Sequence, residues 1–261
     1  MESIRLEHVS RVYDIGKGNT VVAVDDVDLS IDKEEFVCIV GPSGCGKSTL
    51  LYLIACLDYP SSGRILIEGE PATAPNPRVG MVFQSDSVFP WLTVRKNVEF
   101  GPAVRGIGEP ERRRISDTHI KLVGLEGFED SLPRQLSGGM KKRVDVARAY
   151  ANNPHILLMD EPFGALDAMT KERLQFELLS IWERERNTVL FVTHDLEEAL
   201  LLSSKIVVMS RAPNTIQSII EVPFPRPRGL LLKTSTEFQE YRRRLWDLFQ
   251  VEADADRSRI P

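Results

Sequence analysis

The sequence predicts an α/β protein whose core is a parallel β-sheet. Four short apolar runs, at residues 36–40, 156–159, 188–192 and 206–209, have the composition of strands buried on both faces. Helical stretches separate the last three runs, and a glycine-rich loop follows the first one directly. Strands that alternate with helices in this way imply a parallel sheet with right-handed crossovers.

The parts of the chain before and between these runs predict two additions to the sheet. Residues 4–35 alternate loosely between apolar and polar, with a Gly-Lys-Gly-Asn turn at 16–19, which predicts short antiparallel strands and an N-terminal antiparallel β subdomain. A further hairpin is predicted at 63–69 and a strand at 79–83. The segment from 93 to 151 is helical in pattern and rich in charge, so we expect an inserted helical subdomain at about 88–152.

The C-terminal part changes character at residue 223. Three prolines between 223 and 227 exclude a helix there, because each fixes φ and removes a backbone donor. We therefore predict a main domain at 1–222 and a proline-rich linker with a helix at 223–261. One helix face carries Phe238, Tyr241, Leu245, Leu248 and Phe249. Packing on its own domain is the favoured interpretation of this face, and docking onto a partner is the alternative.

Composition narrows the class of protein. The 261 residues are 42% hydrophobic and 27% charged, as in an ordinary globular protein, and the net charge of −5 disfavours a nucleic-acid-binding surface. No apolar run approaches the ~20 residues that span a bilayer, and residues 1–5 do not begin a signal peptide. The cysteines at 38, 45 and 56 form neither a disulfide framework nor a zinc motif. We expect a protein of the reducing cytoplasm that reaches any membrane through a partner.

A phosphate-binding loop follows the apolar run at 36–40 directly, and a helical stretch at 48–54 follows the loop, which is the context this motif requires. Its glycines let backbone N–H groups face a phosphate, Lys47 would reach the β- and γ-phosphates, and Ser48 would hold Mg²⁺. A chance match is the alternative, and the flanking strand and helix argue against it. The candidate nucleotide-binding residues here are Gly41, Pro42, Ser43, Gly44, Cys45, Gly46, Lys47, Ser48 and Thr49.

Polar residues follow three of the predicted strands. Ligands of parallel sheets bind beyond the carboxyl ends of the strands, so Asp160 suits Mg²⁺ and Glu161 suits a general base for an attacking water. His194 and Gln84 occupy equivalent positions, which favours a γ-phosphate contact for His194 and a Mg²⁺ or water ligand for Gln84. The alternative for Asp160 and Glu161 is a solvated acidic turn, and the alternative for His194 is a purely structural role.

A second candidate phosphate contact lies where Ser137, Gly138 and Gly139 open a predicted helix. Small residues there would expose N–H groups to a phosphate, whereas an ordinary serine N-cap is the alternative. Tyr13 could stack on adenine or simply pack in its strand.

These motifs, in this order, resemble the ATP-binding-cassette (ABC) family over roughly residues 10–210. The resemblance implies a P-loop NTPase fold with a RecA-like core, binding of ATP and Mg²⁺, and two cassettes that close face to face. Ser137 and Gly139 would contact the ATP held by the opposite subunit, Asp167 would lie at the dimer seam, and Gln84 would link the Mg²⁺ site to the membrane partner.

The resemblance also implies which residues form the catalytic, metal-binding and adenine-binding sets. Catalytic residues would be Lys47, Gln84, Glu161 and His194, metal ligands would be Ser48, Gln84 and Asp160, and Tyr13 would stack on adenine.

A narrower resemblance concerns the nitrate/sulfonate/taurine importer branch. It rests on Phe-Pro-Trp-Leu-Thr-Val at 89–94, Asn-Val at 97–98, Phe-Gly at 100–101, Met140, and Arg-Pro-Arg at 226–228. It implies an ATPase on the cytoplasmic face of the plasma membrane, with an integral-membrane permease as partner and an extracytoplasmic solute-binding protein as an indirect one. A second ATPase subunit completes the assembly, and the sequence leaves open whether it is a copy or a sibling.

Three departures from the family pattern leave every catalytic group in place. Lys142 replaces a usual glutamine, Asp145 a usual small residue, and Ala-Cys-Leu-Asp at 55–58 a usual Ala-Gly-Leu. Asp145 could tune the coupling between ATP hydrolysis and transport, or it could pair with a basic residue.

A soluble ABC ATPase that acts in DNA repair or on ribosomes is the alternative function. The long coiled coils usual in repair members and the second cassette usual in ribosomal members are not found in this sequence. A nucleotide sensor without turnover is disfavoured by the intact catalytic set.

Overall fold

The computed structural model describes residues 1–164, 166–213 and 215–257, and for residue 230 and residues 249–257 it describes the backbone only. Ala165, which with Leu166 and Asp167 forms an Ala-Leu-Asp segment that belongs to the family resemblance, and the side chain of Phe249 therefore lie outside the described part. The chain forms two compact units. We call Met1–Pro75 with Thr188–Pro261 the split unit, and Asn76–Asn187 the central unit. The sequence-based boundaries at residues 222, 88 and 152 stay a prediction.

The described residues form ten strands and seven α-helices. The strands are β1 (Glu2–Gly16), β2 (Asn19–Asp32), β3 (Phe36–Val40), β4 (Ser62–Ile67), β5 (Glu70–Pro71), β6 (Val79–Val82), β7 (Ile156–Asp160), β8 (Thr188–Val192), β9 (Lys205–Met209) and β10 (Ile216–Glu221). The helices are α1 (Lys47–Ile54), α2 (Val94–Val104), α3 (Glu109–Leu122), α4 (Gly138–Tyr150), α5 (Ala168–Glu185), α6 (Leu196–Leu202) and α7 (Thr236–Arg257). Short 3₁₀ turns lie at Pro133–Gln135 and Leu230–Thr234.

An antiparallel sheet in the split unit has the strand order β2-β1-β4-β5. Its first two strands are longer than the short strands that the sequence predicts, at 15 and 14 residues. The register between them shifts at several points, including the step from Leu6 to Val9. Such bulges keep two strands paired while breaking the strict alternation that sequence patterns depend on.

The parallel strands of the split unit follow the prediction closely. β3 pairs in parallel with both β8 and β9, and every residue of β3 and β8 is buried. β10 adds an antiparallel strand beside β9. The sequence did not predict β10, because Ile216, Ser218 and Ile220 alternate with exposed residues over only six positions. β3 leads directly into the phosphate-binding loop, so the buried strand fixes the base of that loop.

The central unit combines one parallel strand pair with four helices. β6 and β7 pair in parallel, and all five residues of β7 are buried. α2, α3 and α4 pack on one another, and α4 also contacts β6. α5 buries the side chains of Leu174, Leu178 and Trp182. The segment predicted to be helical thus carries α2, α3 and α4.

The C-terminal helix packs on the split unit itself. Phe238 and Leu245 are fully buried, and Phe224 stacks on Phe238 with ring centres 5.6 Å apart. Tyr241 meets Phe224 edge-on at 5.4 Å, and α7 contacts α6. The helix face identified in the sequence therefore covers apolar surface of its own unit. Among the helices of the described chain, none is both long enough and apolar enough to span a membrane.

Candidate functional site

The phosphate-binding loop joins the carboxyl end of β3 to the first turn of α1. Gly44 and Gly46 have φ of +79° and +98°, in the left-handed region that favours glycine. A Cβ on Gly46 would lie 2.1 Å from the carbonyl oxygen of Ala23, so no other residue fits there. No side chain caps the N-terminus of α1. Its first N–H groups and the positive end of its dipole therefore face the loop, as in anion sites at helix N-termini.

Lys47 is held at the centre of this loop. Its side chain is buried, and its ammonium donates to the carbonyl oxygens of Gly41 at 2.8 Å and Pro42 at 2.9 Å. Ser48 and Thr49 follow on the first turn of α1 and are half-buried. Cys45 is buried, so the loop can offer a ligand its backbone but not its thiol. The loop thus presents one cation and a row of amide donors.

Tyr13 lies on β1 within a polar cluster. Its hydroxyl donates to Asp58 at 2.6 Å, and the guanidinium of Arg11 lies over its ring, 4.5 Å from the ring centre. Arg11 in turn donates to Asp58 at 3.0 Å. One face of the Tyr13 ring is therefore covered by Arg11, and adenine stacking on the other face stays a prediction.

His194 is exposed directly after β8 and precedes α6. The turn around it is well fixed, since Asp195 caps α6 by accepting from the N–H groups of Glu197 at 2.9 Å and Glu198 at 3.2 Å. Thr193 accepts from the N–H of Asp195 at 3.0 Å. His194 also lines a cavity of about 890 Å³ whose other walls include Arg242 and Trp246 of α7.

The acidic pair of the central unit lies at the carboxyl end of β7. Asp160 is buried, and Glu161 follows it with φ of +42°. A left-handed backbone at a residue other than glycine costs about 1–3 kcal/mol and is concentrated at functional sites. The side-chain amide of Gln84 donates to the carboxylate of Glu161 at 3.4 Å. The structure therefore brings together two of the predicted catalytic residues, 77 positions apart in the chain.

Ser137, Gly138 and Gly139 open α4, as the sequence predicts. The Ser137 hydroxyl accepts from the N–H of Met140 at 3.3 Å, so the N-cap interpretation holds in this structure. Ser137 and Gly138 are exposed, whereas a Cβ on Gly139 would lie 2.8 Å from Thr170. The cap uses the N–H of Met140 and Gly139 is buried, so Gly138 is the exposed helical position at which the helix start could meet a phosphate.

The predicted site residues divide between the two units. The split unit carries Tyr13, the phosphate-binding loop and His194, and the central unit carries Gln84, the start of α4, Asp160 and Glu161. The proposed metal ligands are a hydroxyl, an amide and a carboxylate (Ser48, Gln84 and Asp160). All three offer oxygen, the donor that Mg²⁺ prefers. The chemistry of the residues present therefore fits Mg²⁺.

Sequence reasoning left the surroundings of Asp145 open, and the structure gives it basic partners. Its carboxylate lies 3.2 Å from Arg148 and 3.9 Å from Lys142, both on α4. The spacing of three residues along a helix was the available signal, since such residues share one face. Ser87 donates to Asp145 through its N–H at 3.2 Å and its hydroxyl at 2.8 Å; this fourth member of the cluster carried no signal in the sequence.

Comparison with known proteins decides the family. The family model of ABC transporters matches residues 24–164, across the phosphate-binding loop, the start of α4 and the acidic pair. The chain belongs to the ABC transporter family. It is an ABC ATP-binding cassette and hence an ATPase, as the sequence predicted.

The sequence matches to relatives extend over nearly the whole chain. The cassette is 47% identical over 249 residues to an uncharacterised ABC transporter ATP-binding protein of Methanocaldococcus jannaschii. This match covers 95% of this chain and 92% of the relative. It is 46% identical to a nitrate import ATP-binding protein of Synechocystis sp., with 91% of each chain covered. It is 42% identical to an aliphatic sulfonates import ATP-binding protein of Bacillus cereus, over 95% and 96% of the two chains. The predicted resemblance to the nitrate and sulfonate branch is confirmed.

A solved structure confirms the fold. The cassette matches a dimeric post-hydrolysis ATP-binding cassette bound to ADP and Pi, with a TM-score of 0.76 and 34% identity. The match covers 85% of this chain and all of the other chain. The α/β P-loop NTPase fold that the sequence predicts is therefore established.

Proposed function

We propose that this cassette energises an importer that takes up a small anion-like solute such as nitrate, a sulfonate or taurine. The observation that carries the proposal is the similarity to nitrate and sulfonate import ATP-binding proteins, at 46% and 42% identity over more than nine tenths of the chain. The Phe-Pro-Trp-Leu-Thr-Val segment at 89–94 supports the same branch. Taurine enters through the sequence resemblance alone.

The proposed assembly contains two cassettes and an integral-membrane permease. Each cassette would lie peripherally on the cytoplasmic face of the membrane, and a solute-binding protein on the other side would deliver the solute. Support for a pair comes from the dimeric cassette that this chain resembles. ATP would bring the two cassettes together, and hydrolysis would let them separate and so change the state of the permease.

Each proposed residue role follows from the chemistry of its group. The amides of the phosphate-binding loop and Lys47 bind the phosphates, because they place donors and one positive charge around the anion. Glu161 orients the attacking water and accepts its proton, and Gln84 holds the Glu161 carboxylate. His194 contacts the γ-phosphate, and Ser137 with Gly139 grips the ATP bound by the opposite cassette. Mg²⁺, held by Ser48, Gln84 and Asp160, would neutralise charge that develops on the phosphates.

Uptake in a strain lacking this chain tests the proposal. Labelled taurine, alkanesulfonates, nitrate and sulfate are supplied one at a time, and the strain is complemented with the wild-type chain or with the Glu161→Gln variant. We expect selective loss of one anion, restored by the wild type only. If every anion were taken up at the parental rate in the deletion strain, and the permease that co-purifies with the cassette carried some other class of solute, the proposal would be wrong.

A further inference from the structure

We propose that Lys142, Asp145 and Arg148 are positioning residues that fix the segment of Gln84 to α4, the helix that begins with Ser-Gly-Gly at 137–139. This inference rests on the proposed role of Gln84 beside Glu161. The three residues lie three positions apart on one face of α4, and this face meets the segment at 83–87, which we call the glutamine segment. All of these residues belong to the central unit.

Lys142 holds the first end of the glutamine segment. Its side chain is 6% exposed, and its ammonium donates to the carbonyl oxygens of Phe83 at 2.9 Å and Gln84 at 3.1 Å. A neutral glutamine at this position would offer two amide donors, whereas the ammonium offers three donors and charge-assisted hydrogen bonds. The carbonyl of Gln84 itself is thus bonded to α4.

Asp145 and Arg148 hold the other end of the segment through Ser87. Asp145 accepts from the Ser87 N–H at 3.2 Å and from its hydroxyl at 2.8 Å. Arg148 donates to the Ser87 carbonyl at 2.6 Å and to its hydroxyl at 2.5 Å. Every polar atom of Ser87 therefore has a partner on α4. Lys141 adds an ion pair with Asp86 at 3.7 Å.

Because these charged side chains are buried, the hydrogen bonds between α4 and the glutamine segment tolerate little change in their geometry. Asp145 is 1% exposed, and burial raises its pKa, while burial lowers the pKa of Lys142 and of Arg148. Buried charges are tolerated only where hydrogen bonds and opposite charges meet them in good geometry, so any displacement of the segment from α4 is costly.

The predicted ATP contact at the start of α4 is therefore linked through α4 to Gln84, the predicted Mg²⁺ or water ligand. The helix begins at the residues that would grip the ATP of the opposite cassette. About one turn later Lys142 holds the backbone of Gln84, and two to three turns later Asp145 and Arg148 hold Ser87. The side chain of Gln84 in turn reaches Glu161 at 3.4 Å. A small shift of α4 when ATP is engaged would move Gln84 with it, and would so set the orientation of Glu161.

Steady-state ATP hydrolysis by the purified full chain tests the link. We expect Lys142→Met to lower kcat about tenfold while KM for ATP stays within about twofold, because the phosphate-binding loop is untouched and a catalytic group is misplaced. Lys142→Arg, which keeps the charge and its donors, should retain most of kcat. Lys121→Met is the matched control, since this exposed lysine of α3 lies 4.0 Å from Glu126 and belongs to neither the glutamine segment nor α4; it should leave kcat unchanged.

A double-mutant cycle separates positioning from general stability. If Lys142 acts through Gln84, adding Lys142→Met to Gln84→Ala should lower kcat little further, whereas independent effects multiply. Ser87→Ala removes one hydroxyl and leaves the buried charges in place, so it reports on the other end of the segment without the risk of unfolding and should lower kcat more weakly.

Three outcomes would overturn the inference, and the Gln84→Ala variant tells its failure from that of the proposed role of Gln84. An unchanged kcat in both Lys142→Met and Ser87→Ala would contradict it, and so would a fully multiplicative cycle. If Gln84→Ala alone left kcat unchanged, the proposed role of Gln84 would be wrong and the inference would fail with it. If Gln84→Ala lowered kcat but the α4 variants did not, the inference alone would be wrong.

Discussion

Lys47 and Glu161 occupy special local environments, and each environment suggests a different measurement. Lys47 is a buried cation that two carbonyl oxygens hold inside the phosphate-binding loop. Glu161 has a left-handed backbone at the end of a buried strand, a conformation that costs free energy unless its surroundings hold it. Lys47 begins α1 beyond the end of β3, and Glu161 directly follows β7, so both residues of the proposed chemistry lie beyond strand ends.

Replacing Lys47 with alanine should abolish tight ATP binding. The variant removes the one buried cation of the loop, and charge-assisted hydrogen bonds contribute about 1.5–3 kcal/mol each, or roughly a 10- to 100-fold change in Kd. Isothermal titration with ATP and Mg²⁺ measures the effect. Lys33→Ala, at an exposed lysine of the same unit, is the control and should bind like the wild type. Equal affinity of Lys47→Ala and wild type would show that the loop does not bind the phosphates.

Asp167 should give the stability of the chain a measurable pH dependence. It caps α5 by accepting from the N–H of Thr170 at 3.0 Å, and hydrogen bonds from the side chain and then the backbone N–H of Thr170 lower its pKa below the ordinary value of 3.8. The charged form is therefore favoured in the folded state. Its contribution is fully present above pH 3.8 and is lost as the pH falls through the lowered pKa.

Urea unfolding of the wild type and Asp167→Asn across this pH window measures the effect. Asparagine keeps the cap but cannot ionise, so the difference in unfolding midpoint between the two proteins should shrink toward acid pH. A difference that stays constant from neutral to acid pH would contradict this assignment.

Arg228 joins the proline-rich segment to the end of α6. Its buried guanidinium donates to the carbonyl oxygens of Leu200 at 2.9 Å, Leu201 at 3.0 Å and Ser203 at 2.7 Å, and also to the carbonyl of Phe224. The last carbonyls of a helix have no partner within the helix, and a cation there also meets the negative end of its dipole. This one side chain therefore fixes where α6 ends and where the C-terminal segment begins.

Arg228→Met should lower the free energy of unfolding by about 3 kcal/mol, because it leaves several buried carbonyls without a donor while keeping most of the apolar volume. Urea unfolding measures the change. Arg243→Met, on the exposed face of α7, is the control and should lie within about 0.5 kcal/mol of wild type. A loss below 1 kcal/mol for Arg228→Met would mean that the segment is held by its apolar contacts alone.

The elements that sequence could predict are those whose signal is local. The run at Phe36–Val40 and the run at Thr188–Val192 are apolar throughout and form strands buried at every position. β10 was not predicted from the sequence, because half of its residues are exposed and its antiparallel pairing with β9 forms only in the folded chain. The bulges between β1 and β2 likewise depend on pairing and not on composition.

The site residues show the same division between local and long-range signals. The phosphate-binding loop is a contiguous motif, so its glycines and Lys47 could be found from spacing alone. The contact of Gln84 with Glu161 could be expected only in outline, because both residues follow strands of one predicted sheet. The hydrogen bonds between Ser87 and α4 could not be predicted, because they join residues 58 to 61 positions apart that meet only in the folded chain.

The molecule as a whole consists of two compact units, and each carries its own part of the proposed chemistry. The split unit presents the phosphate-binding loop and His194. The central unit presents Gln84, the acidic pair and the exposed start of α4. The proposed ligand of the helix start is ATP held by a second cassette. The central claim is therefore that ATP holds two cassettes together.

Size-exclusion chromatography of Glu161→Gln, with and without ATP and Mg²⁺, tests this claim most directly. The variant keeps every proposed phosphate contact but lacks the base for hydrolysis, so it should run as a monomer without nucleotide and as a stable dimer with ATP and Mg²⁺. The Lys47→Ala, Glu161→Gln double variant should stay monomeric in both conditions. A Glu161→Gln chain that retains bound ATP and still runs as a monomer would contradict the account.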